Sequence, residues 1–168
     1  VGFDKEKATV EITYETRERE NKILYIVDKN NPKDKKVYLN GVKKKSLAQI
    51  FGNLKCIVFN PEDLEISKGG PENRRTFIDI FISQLKPAYI GHLNKYNDIL
   101  SQRNSLLKEI QMGRGDRTLL DIYDEQLAEH GTEISIFREQ YTDILRECAK
   151  RVFFDMSRGH EYMSLKYQ

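Results

Sequence analysis

The sequence predicts an α+β protein in which an antiparallel β meander precedes a long antiparallel helical hairpin, and a C-terminal strand returns to the β part. Two patterns carry this prediction. In the front part of the chain, apolar residues alternate with polar ones, which is the two-residue period of half-buried strands. From residue 74 onwards, apolar residues recur every three to four positions, which is the period of helices packed along one side.

The front of the chain contains three strand-like segments. Residues 8–14 alternate Ala, Val, Ile and Tyr with polar residues, as expected of a strand buried on one side. Residues 22–28 are rich in β-branched and aromatic side chains. Residues 36–40 form a third segment, which stops at Asn40-Gly41, a strong turn signal. Loops separate these segments, so we expect consecutive strands to pair as a meander.

Four short features connect the meander to the helices. Residues 46–51 predict a short helix that Gly52 ends. Residues 54–59 form a continuous apolar run, which predicts a strand buried on both faces. Pro61 can then open a single helical turn, and residues 68–71, Lys-Gly-Gly-Pro, predict a flexible loop before the first long helix.

Two heptad stripes predict the helical hairpin. Pro87 suits the first position of a helix, residues 112–116 break that helix, and Asp116 can cap the next one. The stripe of the first arm consists of Tyr89, Leu93, Tyr96, Leu100, Arg103, Leu107 and Ile110. The stripe of the second arm consists of Leu120, Tyr123, Leu127, His130, Ile134, Phe137, Tyr141, Ile144 and Cys148. Two such stripes joined by a tight turn predict helices that pack antiparallel along one seam.

The end of the chain again has the period of a strand, because Met163, Leu165 and Tyr167 alternate with other residues. The expected organisation is therefore a β-rich part of residues 1–60, a helical lobe or arm of residues 61–157, and residues 158–168 returning to the β part. The chain begins with Val and ends in this strand, so we expect it to be a piece of a longer protein.

Composition favours a folded domain without a metal centre. The 168 residues are 39% hydrophobic and 32% charged, and the net charge is +2, which argues neither for nor against a polyanionic partner. Cys56 and Cys148 lie in apolar patterns and predict buried thiols in a reducing compartment. His92, His130 and His160 are far apart in sequence, so we expect no metal site. We also expect neither a membrane span nor a signal peptide.

No catalytic constellation can be assembled from the sequence. The glycine-rich residues 68–71 lack the Lys-Ser/Thr step of a phosphate-binding loop. Glu62 and Asp63 could act as an acid pair, but two carboxylates in the first turn of a helix also complement its dipole. That structural explanation is preferred on residue type alone.

Three basic features could bind an anion. Arg74 and Arg75 open a helix after a Gly-Gly-Pro loop, where they could bind a phosphate or carboxylate or could pair with Glu72. Arg103 lies in the heptad seam and needs a partner such as Glu133 or Asp124 across the hairpin, or else faces a ligand. Residues 43–45 are three consecutive lysines, which favour either a solvated loop or a patch that contacts phosphates.

The order of the sequence blocks resembles the RecF family. The first block is Ile-Val-Phe-Asn-Pro-Glu-Asp-Leu at residues 57–64, and the second is Lys-Gly-Gly-Pro-Glu-Asn-Arg-Arg-Thr-Phe-Ile-Asp at residues 68–79. The third is Gln-Arg-Asn-Ser-Leu-Leu-Lys at residues 102–108, followed by Leu-Ala-Glu-His-Gly at residues 127–131. The resemblance covers essentially the whole chain. Asn60 and Gly70 stand where the family often has Ser, and Thr76 stands where a third Arg is common.

This resemblance implies an internal segment of a DNA-repair ATPase with an SMC-like ABC head, whose helical lobe is the predicted hairpin. The intact protein is expected to bind ATP and Mg²⁺, to form an ATP-dependent homodimer, and to act in the cytoplasm on gapped DNA with RecR in loading RecA. The ATP-binding motifs would lie outside this segment, so the chain itself would hold no cofactor and would not be an enzyme.

The resemblance also assigns candidate residues. Asn60, Glu62 and Asp63 stand at the place of a Q-loop, which couples the nucleotide-binding lobe to the helical lobe. Candidate contacts with DNA or a partner are Arg74, Arg75, Arg103 and Lys108. The alternative is an arm that binds only protein and makes no direct DNA contact.

Overall fold

The computed structural model describes residues 4–31 and 34–167. The chain divides into two compact units, one ending at Leu54 and the other beginning at Lys55. The first unit contains the β-sheet, and the second contains the long helices. This arrangement confirms the α+β class that the change of sequence period predicts.

The first unit is a four-stranded antiparallel sheet in sequence order. Its strands are β1 (Lys7–Glu15), β2 (Glu20–Asp28), β3 (Lys35–Leu39) and β4 (Val42–Lys44). Apolar residues of β1 lie opposite apolar residues of β2, for example Ile12 opposite Ile23, so their side chains share one face. The predicted half-burial of β1 is wrong for Val10 and Ile12, which are 54% and 41% exposed. The meander is therefore confirmed. A short 3₁₀ helix, Leu47–Ile50, follows the sheet.

The Asn40-Gly41 turn does more than end the third strand. Both residues have positive φ, 51° and 79°, the combination that a tight two-residue hairpin requires. The chain therefore reverses at once into β4, a strand that the sequence pattern alone did not predict.

The second unit is built on three long helices. After a 3₁₀ turn (Pro61–Leu64) and a short α1 (Glu65–Lys68) come α2 (Pro71–Leu85), α3 (Pro87–Gln111) and α4 (Thr118–Met156). Proline occupies the first turn of both α2 and α3, where its missing N–H costs nothing. The buried core consists of Ile82, Tyr89, Ile134 and Tyr141.

The hairpin of α3 and α4 is confirmed, and its register follows from the turn. Asp116 Oδ1 accepts hydrogen bonds from the Thr118 N–H at 2.9 Å and hydroxyl at 2.8 Å, and these bonds lower the pKa of Asp116. Arg103 faces Asp124, and Tyr89 faces Arg138. In each pair, the two residues are equally many positions away from the turn, as expected of two antiparallel helices.

The strand predicted at residues 54–59 is wrong for the described chain. These residues are extended but join no sheet, and Ile57 and Phe59 are 97% and 88% exposed. A strand needs a neighbouring backbone to pair with, and residues 4–31 and 34–167 supply none here. The Cys56 N–H instead donates to Gln84 Oε1 at 2.7 Å.

The strand predicted at Met163–Tyr167 is also absent from the described residues, for the same reason. Residues 161–167 run without a paired strand. Arg146 Nε donates to the Leu165 carbonyl, so a side chain rather than a sheet holds this segment.

The prediction of two buried thiols is wrong as well, because Cys56 and Cys148 are both exposed. Cys56 lies in the extended segment that does not become a strand. Cys148 lies late in α4, beyond the stretch that α3 covers, and a heptad stripe drifts by about 20° per heptad around a straight helix. Ile144 of the same stripe is exposed for the same reason.

Candidate functional site

The candidate coupling residues form a closed local cap. Asp63 N–H donates to Asn60 Oδ1 at 3.2 Å, and Asn60 N–H donates to Asp63 Oδ2 at 2.8 Å. This reciprocal capping box satisfies two backbone donors at the start of the 3₁₀ turn. Glu62 lies exposed in the same turn, and its side chain has no hydrogen-bond partner among the described residues. Of these three candidates, Glu62 is the one whose side chain takes no part in the capping box.

The two arginines at the start of α2 have different surroundings. Arg74 Nη1 donates to the carbonyl of Gly69 at 2.9 Å and reaches that of Ile66 at 3.5 Å, so it braces the preceding loop. Arg75 is exposed and lines a groove. Neither arginine forms a salt bridge with Glu72 in the described structure.

The seam arginine pairs across the hairpin. Arg103 Nε donates to Asp124 Oδ1 at 2.5 Å, and Nη2 donates to Oδ2 at 3.3 Å. Asp124 is one of the two partners that the sequence predicts, so the pairing of Arg103 across the hairpin is confirmed. The pair is only half-buried, with 28% and 53% of the two side chains exposed. The bond raises the pKa of Arg103 and lowers that of Asp124.

The remaining basic candidates are distributed over the molecule. Lys108 is exposed in the last turn of α3, where a cation complements the helix dipole. Lys43 and Lys44 lie on β4 of the other unit, and Lys45 follows it. Arg75 lies near the N-terminal end of α2, whereas Lys108 lies near the hairpin turn. The structure therefore does not gather the candidate contacts into one cluster.

A groove of about 1000 Å³ runs between α2, α3 and α4. Its lining includes half-buried Leu100 and Leu127, and exposed Glu72, Arg75 and Glu139. The lining of this groove is therefore partly apolar and partly charged. Of the four basic candidates, Arg75 is the one that lines this groove.

A polar cluster that the sequence analysis missed joins the three helices. Arg138 Nε and Nη2 donate to the two carboxylate oxygens of Asp79, each at 2.9 Å, and the Tyr89 hydroxyl donates to Asp79 Oδ1 at 2.5 Å. The Asp79 and Arg138 side chains are each 16% exposed. Burial and then the bond to Asp79 raise the pKa of Tyr89. The side chain of Tyr167 makes a further, smaller contribution that raises the pKa of Arg138.

The charge state of Arg138 follows from this cluster. Burial alone would lower the pKa of its guanidinium, but the bond with Asp79 and the neighbouring Tyr89 raise it above its ordinary value. A helical period can place Asp79 and Arg138 on their helices, but it cannot show that the two helices bring them together. The symmetric position of Tyr89 and Arg138 about the turn is the one signal that could have revealed part of the cluster.

A second missed pair joins α3 and α4. His92 Nδ1 and His130 Nδ1 lie 3.3 Å apart, and the rings are nearly perpendicular, with centroids 5.4 Å apart and planes at 66°. The sequence analysis treated each histidine as a residue of its own helix, because the two are separated by 38 positions.

No protein-family model matches this chain. The chain is 38% identical over 169 aligned residues to the DNA replication and repair protein RecF of Halothermothrix orenii, covering 100% of this chain and 44% of that protein. It is 38% identical to RecF of Acetivibrio thermocellus, covering 99% and 45%. It is 41% identical to RecF of Bacillus subtilis, covering 80% and 37%.

Solved structures agree with these sequence matches. The structure of the recombination mediator protein RecF-ATP in the RecFOR pathway superposes with a TM-score of 0.88 at 36% identity, covering 94% of this chain and 42% of that one. The corresponding RecF-ATPrS structure gives a TM-score of 0.83. The chain spans less than half the length of each of these relatives.

Proposed function

We propose that this chain, which resembles a segment of RecF along its whole length, is a binding and coupling module of a DNA replication and repair protein. The observation that carries the proposal is the match of sequence and structure together, 38% identity over the full chain and a TM-score of 0.88. The longer protein would act as a recombination mediator in the cytoplasm, directing RecA onto gapped DNA.

ATP and Mg²⁺ would belong to the longer protein, where ATP binding would drive the formation of a homodimer. Within the described residues, no group of three or more His, Cys, Asp and Glu side chains could hold a metal ion. In the longer protein, residues outside this chain would contribute ligands to Mg²⁺. The exposed, unpaired carboxylate of Glu62 fits a role in sensing that ion or a water beside it. Asn60 and Asp63 would hold Glu62 in place through their capping box.

This coupling role can be tested in a chimera in which the matching segment of Halothermothrix orenii RecF is replaced by this chain. Glu62→Gln removes the charge of a side chain that makes no internal contact, so the fold should be unchanged. We expect ATP-dependent dimerisation to weaken. Glu125→Gln, an exposed carboxylate on α4, is the matched control and should have no effect. Unchanged dimerisation in Glu62→Gln would exclude the coupling role.

DNA contact by the helical arm is the second part of the proposal, and the structure limits which residues could make it. Arg74 and Arg103 already have internal partners, so Arg75 and Lys108 are the better candidates. If each contacts a phosphate, removing one of them should make the plot of log binding constant for duplex DNA against log salt concentration less steep by about 0.9. Arg75→Ala and Lys108→Ala in the chimera test this, with Lys86→Ala as an exposed basic control.

A protein-binding arm without DNA contact is the alternative, and the charge of α4 favours it for that helix. Between residues 118 and 145, α4 carries seven acidic side chains and one basic side chain, Arg138, which is paired with Asp79. This helix would repel phosphates, so we propose that it faces a protein such as RecR. Two results would favour a protein-binding role for the whole arm. DNA binding by the chimera would be insensitive to salt, and RecR binding would be lost when the acidic side chains of α4 are neutralised.

A further inference from the structure

His92 and His130 form an isolated pair of imidazoles between the two arms of the hairpin. Their Nδ1 atoms lie 3.3 Å apart, and within residues 4–31 and 34–167 neither side chain has another hydrogen-bond partner. His130 is 8% exposed, whereas His92 is half-buried. The pair is therefore fixed on two packed helices and remains open to solvent on the His92 side.

The separation of the two nitrogens matches a shared metal ion. A Zn²⁺–N bond is about 2.0–2.1 Å long, so two ligands at a tetrahedral angle place their nitrogens about 3.3–3.4 Å apart. Hydrogen bonds from an N–H to an oxygen span about 2.7–3.2 Å, so this N···N separation lies just beyond the long end of that range. We infer that His92 and His130 form a binding site for a divalent transition-metal ion such as Zn²⁺, which links α3 to α4.

The chemistry of the pair limits the kind of ion and the strength of binding. Imidazole suits zinc, copper and nickel rather than magnesium or calcium. No third His, Cys, Asp or Glu completes a cluster within the described residues, so water would fill the remaining positions from the exposed side. Two protein ligands make this site weaker than a four-ligand structural zinc site. Its effect would be to fasten the first turns of α3 to α4.

The test uses the full chain and Zn²⁺ itself, in a non-chelating buffer at pH 7.5. Calorimetry should show one Zn²⁺ per chain. At about 100 times the Kd, the thermal midpoint followed by helical circular dichroism should rise by about 5–10 °C. His92→Gln is the first variant, because a half-buried side chain can be replaced with little risk to folding, and His130→Gln is the second. His160→Gln, outside the pair, is the control.

We expect the zinc-dependent shift to vanish in His92→Gln and His130→Gln and to remain in His160→Gln. Co²⁺ should give visible absorption bands of a nitrogen-bound ion only when both histidines are present. A shift that survives His92→Gln, or no shift in the unaltered chain, would overturn the inference and leave a plain hydrogen bond between the two rings.

Discussion

Replacing Asp79 by Ala should strongly destabilise the helical unit, because Asp79 is the shared acceptor of α3 and α4 side chains. The variant removes both bonds from Arg138, each at 2.9 Å, and the bond from Tyr89 at 2.5 Å. The Arg138 side chain, 16% exposed, would keep its charge without a carboxylate beside it. Breaking one side of a buried ion pair costs about 3–5 kcal/mol, and partial exposure favours the lower end, about 3 kcal/mol.

Urea unfolding followed by helical circular dichroism measures this loss. Asp124→Ala is the matched control, because it also removes an Asp from an Arg–Asp pair, but on the solvent side of the hairpin. Pairs exposed to water contribute little, so this variant should lose much less stability. The double variant Asp79→Ala/Arg138→Met should be less destabilised than the two single losses added together. Equal losses for Asp79→Ala and Asp124→Ala would refute the reasoning.

Three further predictions follow from single features. The raised pKa of Tyr89 means that the folded state favours the neutral phenol, so this stabilisation is present below the ordinary pKa of about 10 and is lost as pH rises beyond it. Tyr89→Phe should therefore flatten the alkaline limb of a plot of unfolding free energy against pH, and an unchanged limb would contradict this assignment. A Cβ on Gly115 would lie 2.6 Å from Ile110 Cγ1 and 2.8 Å from the Ile110 backbone nitrogen, so Gly115→Ala should destabilise the helical unit by about 1–3 kcal/mol in urea unfolding. Gly113→Ala separates the strain of positive φ from such a clash, because a Cβ at Gly113 contacts nothing. Both cysteines should react with a thiol reagent in the folded chain, since both are exposed; slow reaction of Cys148 alone would show that its helix face is covered.

Local patterns predicted most of the fold, because each depends only on nearby residues. The alternation over residues 8–14 predicts β1, and the Asn40-Gly41 turn predicts the end of β3 but not the short β4 that follows it. The two stripes and the break at residues 112–116 define α3 and α4. The apolar run at residues 54–59 has the composition of a strand, but whether it becomes one depends on a partner backbone that the sequence of the run does not contain.

A contact between two side chains was predictable from the sequence only where one residue required a partner of a particular kind. Arg103 in an apolar seam needs an acid across the hairpin, so Asp124 could be named. The Asp79–Tyr89–Arg138 cluster and the His92–His130 pair join residues that are separated by up to 59 positions. They depend on how the helices turn about their axes, which a period does not specify. For Glu62, the resemblance to the RecF family suggested the position, and the structure added that its side chain is the unpaired member of its group.

The most direct test of the account is the ATP-dependent dimerisation of the Halothermothrix orenii RecF chimera that carries this chain, measured by sedimentation velocity with and without ATP. Native-like circular dichroism and retained ATP binding establish that the chimera is folded. The account predicts a monomer without ATP and a dimer with it, because this chain would supply the coupling between nucleotide and helical lobe. A folded, ATP-binding chimera that stays monomeric with ATP would contradict the account.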